Sequence, residues 1–186
     1  KKSVQLIKEA KKKGIQITAD VNSYHLLFDE TELLHFDNYF KVNPPLRTKD
    51  DIKALINGLK DGTIDVICSD HTPEDIENKQ CEFDHSAFGM INLQTSFAAA
   101  NSAIKTKLEL TDFIAKITSL PREILGLKKT TIKEGEKANI TLFSPNEKWT
   151  LSNDEIVSKA KNTPFIGKEL TGKVYGIINN NKVDLS

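Results

Sequence analysis

An α/β fold is what this sequence predicts, with a smaller β unit at its C-terminal end. Three observations lead there. Stretches with helical periodicity alternate with short apolar runs in the first two thirds of the chain, the pattern of helices packed on a parallel sheet or barrel. One run, Val66-Ile67-Cys68-Ser69, leads straight into Asp70-His71-Thr72-Pro73-Glu74. It reads as a strand buried on both faces. After Lys128 the texture changes to short alternating strands separated by turn residues.

The chain opens with Val4, Leu6, Ile7 and Ala10 at helical spacing, lysines on the other side, and Gly14 as a stop. Ile15, Ile17, Ala19 and Val21 alternate as in a strand, which ends in the polar cluster Asn22-Ser23-Tyr24-His25. Residues 29–34 suggest a short helix. Phe40-Lys41-Val42 is a second short strand, running into Asn43-Pro44-Pro45; two prolines fix an extended path and hold Asn43 at a strand end. Thr48 caps the next helix, with Asp50 and Asp51 in its first turn. Ile52, Leu55, Ile56 and Leu59 form its apolar stripe, and Gly62 ends it.

Residues 15–21, 40–43 and 64–70 are thus expected as neighbouring parallel strands, with Asn22, Asn43 and Asp70 at one end. Pro73 has no N–H to donate, so the last strand is over by then and Asp70 sits at its C-terminal lip. In α/β barrels that lip is where chemistry is placed. An acid there either ligates a metal, moves a proton, or simply closes a turn.

Residues 72–88 form an acidic loop, longer than a mere connection needs. Gly89 is expected to open a helix through Ile91, Leu93 and Phe97. Residues 110–125 form another, with Thr111 as its N-cap and a break at Pro121. In 128–186, residues 138–143, 149–151, 174–178 and a segment at Val183 read as strands, Asn179-Asn180-Asn181 as a turn, and 153–160 as helical or irregular. Trp149 belongs to the core of this unit.

Composition excludes several classes. Lys+Arg and Asp+Glu are both 26, so formal net charge is zero and nothing recruits nucleic acid or an anionic membrane. No apolar run approaches a membrane span. Cys68 and Cys81 give neither a disulfide framework nor a CxxC metal site, which fits a reducing cytoplasm. Lys1-Lys2-Ser3-Val4 falls into a helical pattern with no Met and no signal peptide, and the expectation is a piece of a longer chain.

Four stretches, in order, resemble dihydroorotase, a cyclic-amide hydrolase of the amidohydrolase superfamily. They are Val42-Asn43-Pro44-Pro45-Leu46-Arg47; Asp61 to Ile67 leading into Ser69-Asp70-His71; Phe88-Gly89-Met90; and Asn162-Thr163-Pro164-Phe165 with Gly167, Leu170, Gly172 and Val174. The opening Ser3-Val4-Gln5-Leu6-Ile7 is similar to the piece just after a family metal-ligand histidine. Allantoinases and hydantoinases share the scaffold.

The resemblance implies the C-terminal part of a metal-dependent-hydrolase (β/α)₈ TIM barrel for residues 1–127. It implies a C-terminal segment of the small β-sandwich domain for 128–186. It further implies zinc, one or two ions, and a water that attacks the amide carbon of dihydroorotate; the reverse reaction closes N-carbamoyl-aspartate, a step of pyrimidine biosynthesis. Asp70 matches the last metal ligand and general base. Asn43 matches a substrate-binding asparagine, and Phe88 and Gly89 match a segment that contacts the ring through its backbone. The other metal ligands of the family lie upstream of residue 1.

Two departures stand out. The family's Asp-His-Ala-Pro-His is Asp70-His71-Thr72-Pro73-Glu74 here, so a carboxylate replaces the histidine that holds the substrate's carboxylate. The family's Pro-His-His is Ser23-Tyr24-His25. Two readings stay open: a cyclic amide hydrolase, and a catalytically silent subunit of the kind that assembles with aspartate carbamoyltransferase. Expected partners are the small-molecule substrate, the rest of the same chain, and further copies of it. His71 follows Asp70 and points the other way along the strand, toward a structural hydrogen bond. His25 either lines the pocket or is structural, and His35 and His85 belong to the surface.

Overall fold

The computed structural model describes residues 1–185. Helix α1 (Lys2–Lys12) stops at Gly14, which takes a left-handed φ of 77°. Strand β1 (Asp20–Asn22) follows, and helix α2 (Lys49–Lys60) leads into strand β2 (Val66–Cys68). β1 and β2 pair in parallel, with Asp20 opposite Val66, Val21 opposite Ile67 and Asn22 opposite Cys68. Thr48 does cap α2: its Oγ1 accepts from the Asp51 N–H at 3.1 Å. The apolar stripe of α2 packs Ile56 and Leu59 against Val21, Ile64 and Ile67. The parallel strands thus bury one face under a helix; the burial on both faces expected of the run at Val66–Cys68 is not seen, because Val66 and Cys68 are only half-buried.

The first strand is shorter than its pattern suggests. Residues 15–19 are not paired in a sheet, and Ile15 and Ile17 lie on the surface. The expected strand at 40–43 does not form. Asn38–Phe40 closes as a 3-10 turn capped by Asp37, whose side chain accepts from the Tyr39 N–H. Beyond it Pro44 and Pro45 have no N–H to give a ladder. The segment still runs beside the site, because the Lys41 carbonyl accepts the Gly89 N–H at 2.9 Å.

Helix α3 (Ile76–Lys79) is a single turn inside the acidic loop. The helix expected from Gly89 starts later, as α4 (Ser96–Ile104). Met90 makes a parallel bridge with His71 instead, so 89–92 stay extended along the end of β2. The helical region at 110–125 is two pieces, α5 (Leu110–Ile117) and α6 (Ser119–Ile124). The break falls at Thr118 rather than at Pro121. Pro121 sits in the first turn of α6, where its missing N–H would have no partner anyway. Glu109, not Thr111, occupies the N-cap of α5.

Strands β3 (Asn139–Thr150), β4 (Glu169–Asn179) and β5 (Lys182–Leu185) make one antiparallel sheet in that order. The strands expected at 138–143 and 149–151 are almost one: β3 continues to Thr150 through irregularities after Leu142 and Ser144. Leu151 lies beyond it, in a bridge with Ile166. Asn180 and Asn181, at φ 49° and 60°, turn the chain between β4 and β5. A 3-10 turn at Asn153–Glu155 answers to the irregular stretch at 153–160.

This sheet meets the α/β part along α4. Asn101 Nδ2 donates to the carbonyls of Pro145 and Thr171, both at 2.8 Å, and Ser102 Oγ accepts the Thr171 N–H at 2.7 Å. Gly172 is required at this contact: φ is 105°, and a Cβ there would lie 2.9 Å from Phe97 and Asn101. Trp149 is half-buried, and its Nε1 donates to the Gly172 carbonyl at 2.8 Å.

Candidate active site

Two strand exits meet at Asp70. The residue has φ 47°, a left-handed turn directly after β2. Asx residues tolerate that region better than most. The turn brings the carboxylate to the exit of β1. There Asn22 Nδ2 donates to Oδ2 at 2.7 Å, and the Tyr24 hydroxyl donates to the same oxygen. Asn22 Nδ2 also donates to the Tyr24 oxygen at 2.8 Å. Among the described residues nothing donates to Oδ1. One oxygen of Asp70 is thus held and the other is open. Burial, and then the hydrogen bond to Asp70, push the Tyr24 hydroxyl far above the usual phenol range, so it stays a donor.

Below Asp70, Cys68 Sγ donates toward Asp20 Oδ2 at 3.0 Å and Asn22 Oδ1 at 2.9 Å. Burial, and then its hydrogen bond to Asp20, raise the thiol to about 12. It is an inert donor that orients the Asn22 amide, so that the NH₂ faces Asp70.

His71 has the structural role expected from its position. Its Nδ1 accepts the N–H groups of Asn92 and Leu93, each at 3.1 Å. The proton of a neutral ring is therefore on Nε2. Buried Asn92 ties both strand exits together, donating to Ser23 Oγ and to the Ser69 carbonyl, each at 2.7 Å. His25 Nε2 donates to the Pro44 carbonyl at 2.9 Å, and burial lowers its pKa below the usual histidine value. That bond places the Asn43–Pro44 corner beside the exit of β1, at the same end as Asp70. The Asn43 side chain itself is exposed.

Phe88 and Gly89 lie beside the segment that leads into this corner, joined to it through the Lys41 carbonyl. Gly89 has φ 113°, and a Cβ would stand 2.5 Å from Thr72. Its N–H is taken by the Lys41 carbonyl, and its carbonyl accepts from Lys79 Nζ at 3.0 Å and Asn162 Nδ2 at 3.3 Å. Of the pair, only Phe88 keeps both a free N–H and a free carbonyl among the described residues. A backbone contact to a ligand from this pair therefore falls to Phe88. Asn162 also donates to the Thr72 carbonyl at 2.9 Å and accepts the Glu74 N–H at 3.2 Å. Glu74 is half-buried, its Oε2 accepting from Asn78 Nδ2 at 3.1 Å, and it lines a cleft of about 320 Å³ with Lys79, Lys161 and Asn162. His35 and His85 are exposed.

Among the described residues no group of three or more His, Cys, Asp or Glu side chains could hold a metal ion. A catalytic zinc uses three or more protein ligands. The open Oδ1 of Asp70 fits as one of them. Sequence reasoning placed Asn22 at the same end as Asp70 but passed over Tyr24 as its partner, and Lys41, Lys79, Asn92 and Asn162 as braces. Only the polar cluster at 22–25 carried a local signal.

Comparison with known proteins gives the same family. The chain is 41% identical to a dihydroorotase of Caldicellulosiruptor saccharolyticus over 185 residues, covering 98% of this chain and 43% of the relative. It is 44% identical to a dihydroorotase of Clostridium acetobutylicum over 183 residues, covering 97% and 43%. The chain thus spans less than half the length of the curated relatives it matches. Among solved structures, an L-hydantoinase (dihydropyrimidinase) from Arthrobacter aurescens superposes with a TM-score of 0.87 at 23% identity, over 97% of this chain and 42% of that one. An inactive dihydroorotase-like domain of the Chaetomium thermophilum CAD-like multifunctional protein superposes with a TM-score of 0.69 at 21% identity, over 97% and 47%. These likenesses make the α/β part a portion of the barrel fold of amidohydrolases. With the amidohydrolase family model matching residues 2–183, the chain belongs to the amidohydrolase family.

Proposed function

We propose that this chain serves a dihydroorotase-type hydrolase, which interconverts dihydroorotate and N-carbamoyl-aspartate in pyrimidine biosynthesis. The observation that carries the reading is Asp70: a carboxylate at a strand exit, with Oδ2 held by Tyr24 and Asn22 and Oδ1 open. The similarity to dihydroorotases at 41% and 44% identity supports the substrate class. Residues 1–127 then belong to the barrel and 128–186 to the small β domain.

Asp70 Oδ1 would be one ligand of a zinc ion, which when bound lowers the pKa of water and polarises a carbonyl. The same carboxylate is placed to take a proton from the attacking water and return it to the leaving nitrogen. The Tyr24 and Asn22 donors hold the Asp70 carboxylate still. Asn43 would bind the ring through its amide, which both donates and accepts. The free N–H and carbonyl of Phe88 complement the alternating carbonyl and N–H of a cyclic amide. Gly89 would set their direction. No helix among the described residues is long and apolar enough to cross a membrane. A cytoplasmic setting and self-association belong to the same reading.

The test is dihydroorotate hydrolysis by the full gene product supplied with zinc. We expect turnover, and a loss of about a thousandfold or more in Asp70→Ala. Activity on hydantoin or allantoin in place of dihydroorotate would move the substrate but keep the reaction class. The second reading, a silent subunit that assembles with aspartate carbamoyltransferase, is favoured by one observation, Glu74 in the place of the family's carboxylate-binding histidine. No zinc and no turnover in the full gene product would establish it over the first.

A further inference from the structure

Lys79 is the most deeply buried charged side chain described, 2% exposed, and it forms no ion pair among the described residues. A buried ammonium without a carboxylate is costly unless hydrogen bonds replace its water. Here two do. Nζ donates to the Ala87 carbonyl at 2.9 Å and to the Gly89 carbonyl at 3.0 Å. These are the two carbonyls on either side of Phe88. The Lys79 end is itself anchored, because Asn38 Nδ2 donates to the Lys79 carbonyl at 2.7 Å and the Ala87 N–H donates to the Asn78 carbonyl at 2.9 Å.

A second lysine holds the same loop. Lys41 Nζ donates to the carbonyls of Phe83 at 2.6 Å and Asp84 at 3.0 Å, and lies 4.9 Å from the Phe88 ring centre. The Lys41 carbonyl takes the Gly89 N–H. The residues on either side of Phe88 are therefore strapped at both backbone groups, Ala87 through its N–H and carbonyl and Gly89 through its N–H and carbonyl, while the N–H and carbonyl of Phe88 have no partner among the described residues. The Phe88 ring, 53% exposed, is left at the surface of the site.

We propose that Lys79 is a positioning residue: by clamping the carbonyls that flank Phe88, it fixes the free Phe88 N–H and carbonyl in the direction a cyclic amide needs. This deepens the hydrolase reading and rests on its assignment of Phe88 and Gly89 to the substrate. Lys79 touches no reacting atom, so its loss acts on binding rather than on the chemical step.

Burial lowers the Lys79 amine from 10.5 to about 8. The groups that face it are Glu74 after β2, Lys41 and Asp37 on the segment before the site, and Cys81 just beyond α3; Glu74 and Asp37 favour the ammonium and Lys41 opposes it. Charge-assisted bonds are the stronger form of the clamp, so it weakens as pH rises through about 8. Global stability runs the other way for this group. The folded value lies below 10.5, so the cost of burying the charge is present below pH 8 and lifts as pH rises toward 10.5. A KM that worsens above pH 8 while the fold does not loosen marks positioning rather than support of the fold.

The experiment compares the full gene product with Lys79→Met, which keeps side-chain length and removes the donors. At pH 7 we expect KM for dihydroorotate to rise about tenfold or more, with kcat within about threefold and bound metal unchanged. Amide hydrogen exchange at Gly89 should lose about tenfold in protection. In the wild type KM should rise between pH 7.5 and about 9, and Lys79→Met should lack that rise. Unchanged KM and unchanged protection in Lys79→Met overturn the proposal, as does a fall in kcat alone. If Lys79→Met does not fold, a wild-type KM flat across pH 8 overturns it by itself. An inactive wild-type protein refutes the hydrolase reading. The exchange comparison then decides the clamp separately, and unchanged protection sinks it.

Discussion

At Asp70 the two carboxylate oxygens have different surroundings, and that asymmetry carries chemical consequences. A donor to a charged oxygen is worth about 1.5–3 kcal/mol, and Oδ2 has two. Removing one leaves the carboxylate free to rotate away from the geometry that Oδ1 needs. We expect Tyr24→Phe in the full gene product to cut kcat about tenfold or more and to weaken metal binding measurably, with KM little changed. Equal metal affinity and equal kcat would remove Tyr24 from the site. The place of Asp70 at a strand exit was legible in the sequence, because an apolar run ends there and Pro73 closes it. Asn22 was legible as a neighbour at the same strand end, but the hydrogen bonds were not: Asn22 and Tyr24 lie 48 and 46 residues earlier, and the β1–β2 register brings them to Oδ2. Glu74 is the other residue with a direct test. Like charges about 4 Å apart at intermediate dielectric repel by about 4 kcal/mol. Solvent around this half-buried side chain and its bond to Asn78 reduce that. Tenfold in affinity corresponds to about 1.4 kcal/mol, so Glu74→His should tighten dihydroorotate binding by about that factor. A variant that binds no better shows that another group holds the carboxylate.

Elements were readable where the signal is local and hidden where it is tertiary. Thr48 with two acids behind it and an apolar stripe beyond specified α2 in full, and the structure has the cap bond. An N-cap threonine is worth about 1 kcal/mol. Thr48→Ala should therefore lower the stability of the full gene product by about that amount in denaturant unfolding, and leave KM untouched; an unchanged midpoint would mean that α2 is held by packing alone. The segment 40–43 failed for the opposite reason. Phe40-Lys41-Val42 has strand character, but its partner along the Lys41 carbonyl is Gly89, a single bond and not a ladder. The helix expected from Gly89 failed likewise: the apolar spacing of Ile91 and Leu93 is outweighed by the bridge between Met90 and His71. In both cases the loop of 72–90 took the backbone groups that regular structure would have used. Lys79 and Asn162, which brace that loop, are ordinary surface residue types whose burial nothing local foretells.

For the whole molecule, the parallel sheet has only two strands, of three residues each. A parallel sheet is stable when both faces and both edges are covered, and a two-stranded sheet is marginal by itself. Large apolar side chains stand in water on α1 and in the connections: Leu6 at 66%, Phe36 at 71%, Ile132 at 87% and Val157 at 87%. α1 buries none of its residues, although its apolar side is periodic. An apolar helix stripe normally covers a neighbour. Single exposed apolar side chains are ordinary, but an apolar helix stripe with no buried residue and a two-stranded parallel sheet with open edges are surface that needs a cover. We therefore expect residues 1–186, produced by themselves, to self-associate or to stay compact without fixed packing. The measurement is near-ultraviolet circular dichroism, dye binding to exposed apolar surface, and thermal unfolding at low micromolar concentration. The expected outcome is retained far-ultraviolet signal, strong dye binding and a broad unfolding curve. A single sharp, concentration-independent transition with native near-ultraviolet signal would mean that the two core clusters, one around Ile67 and one around Phe165, suffice to hold this fold without any cover.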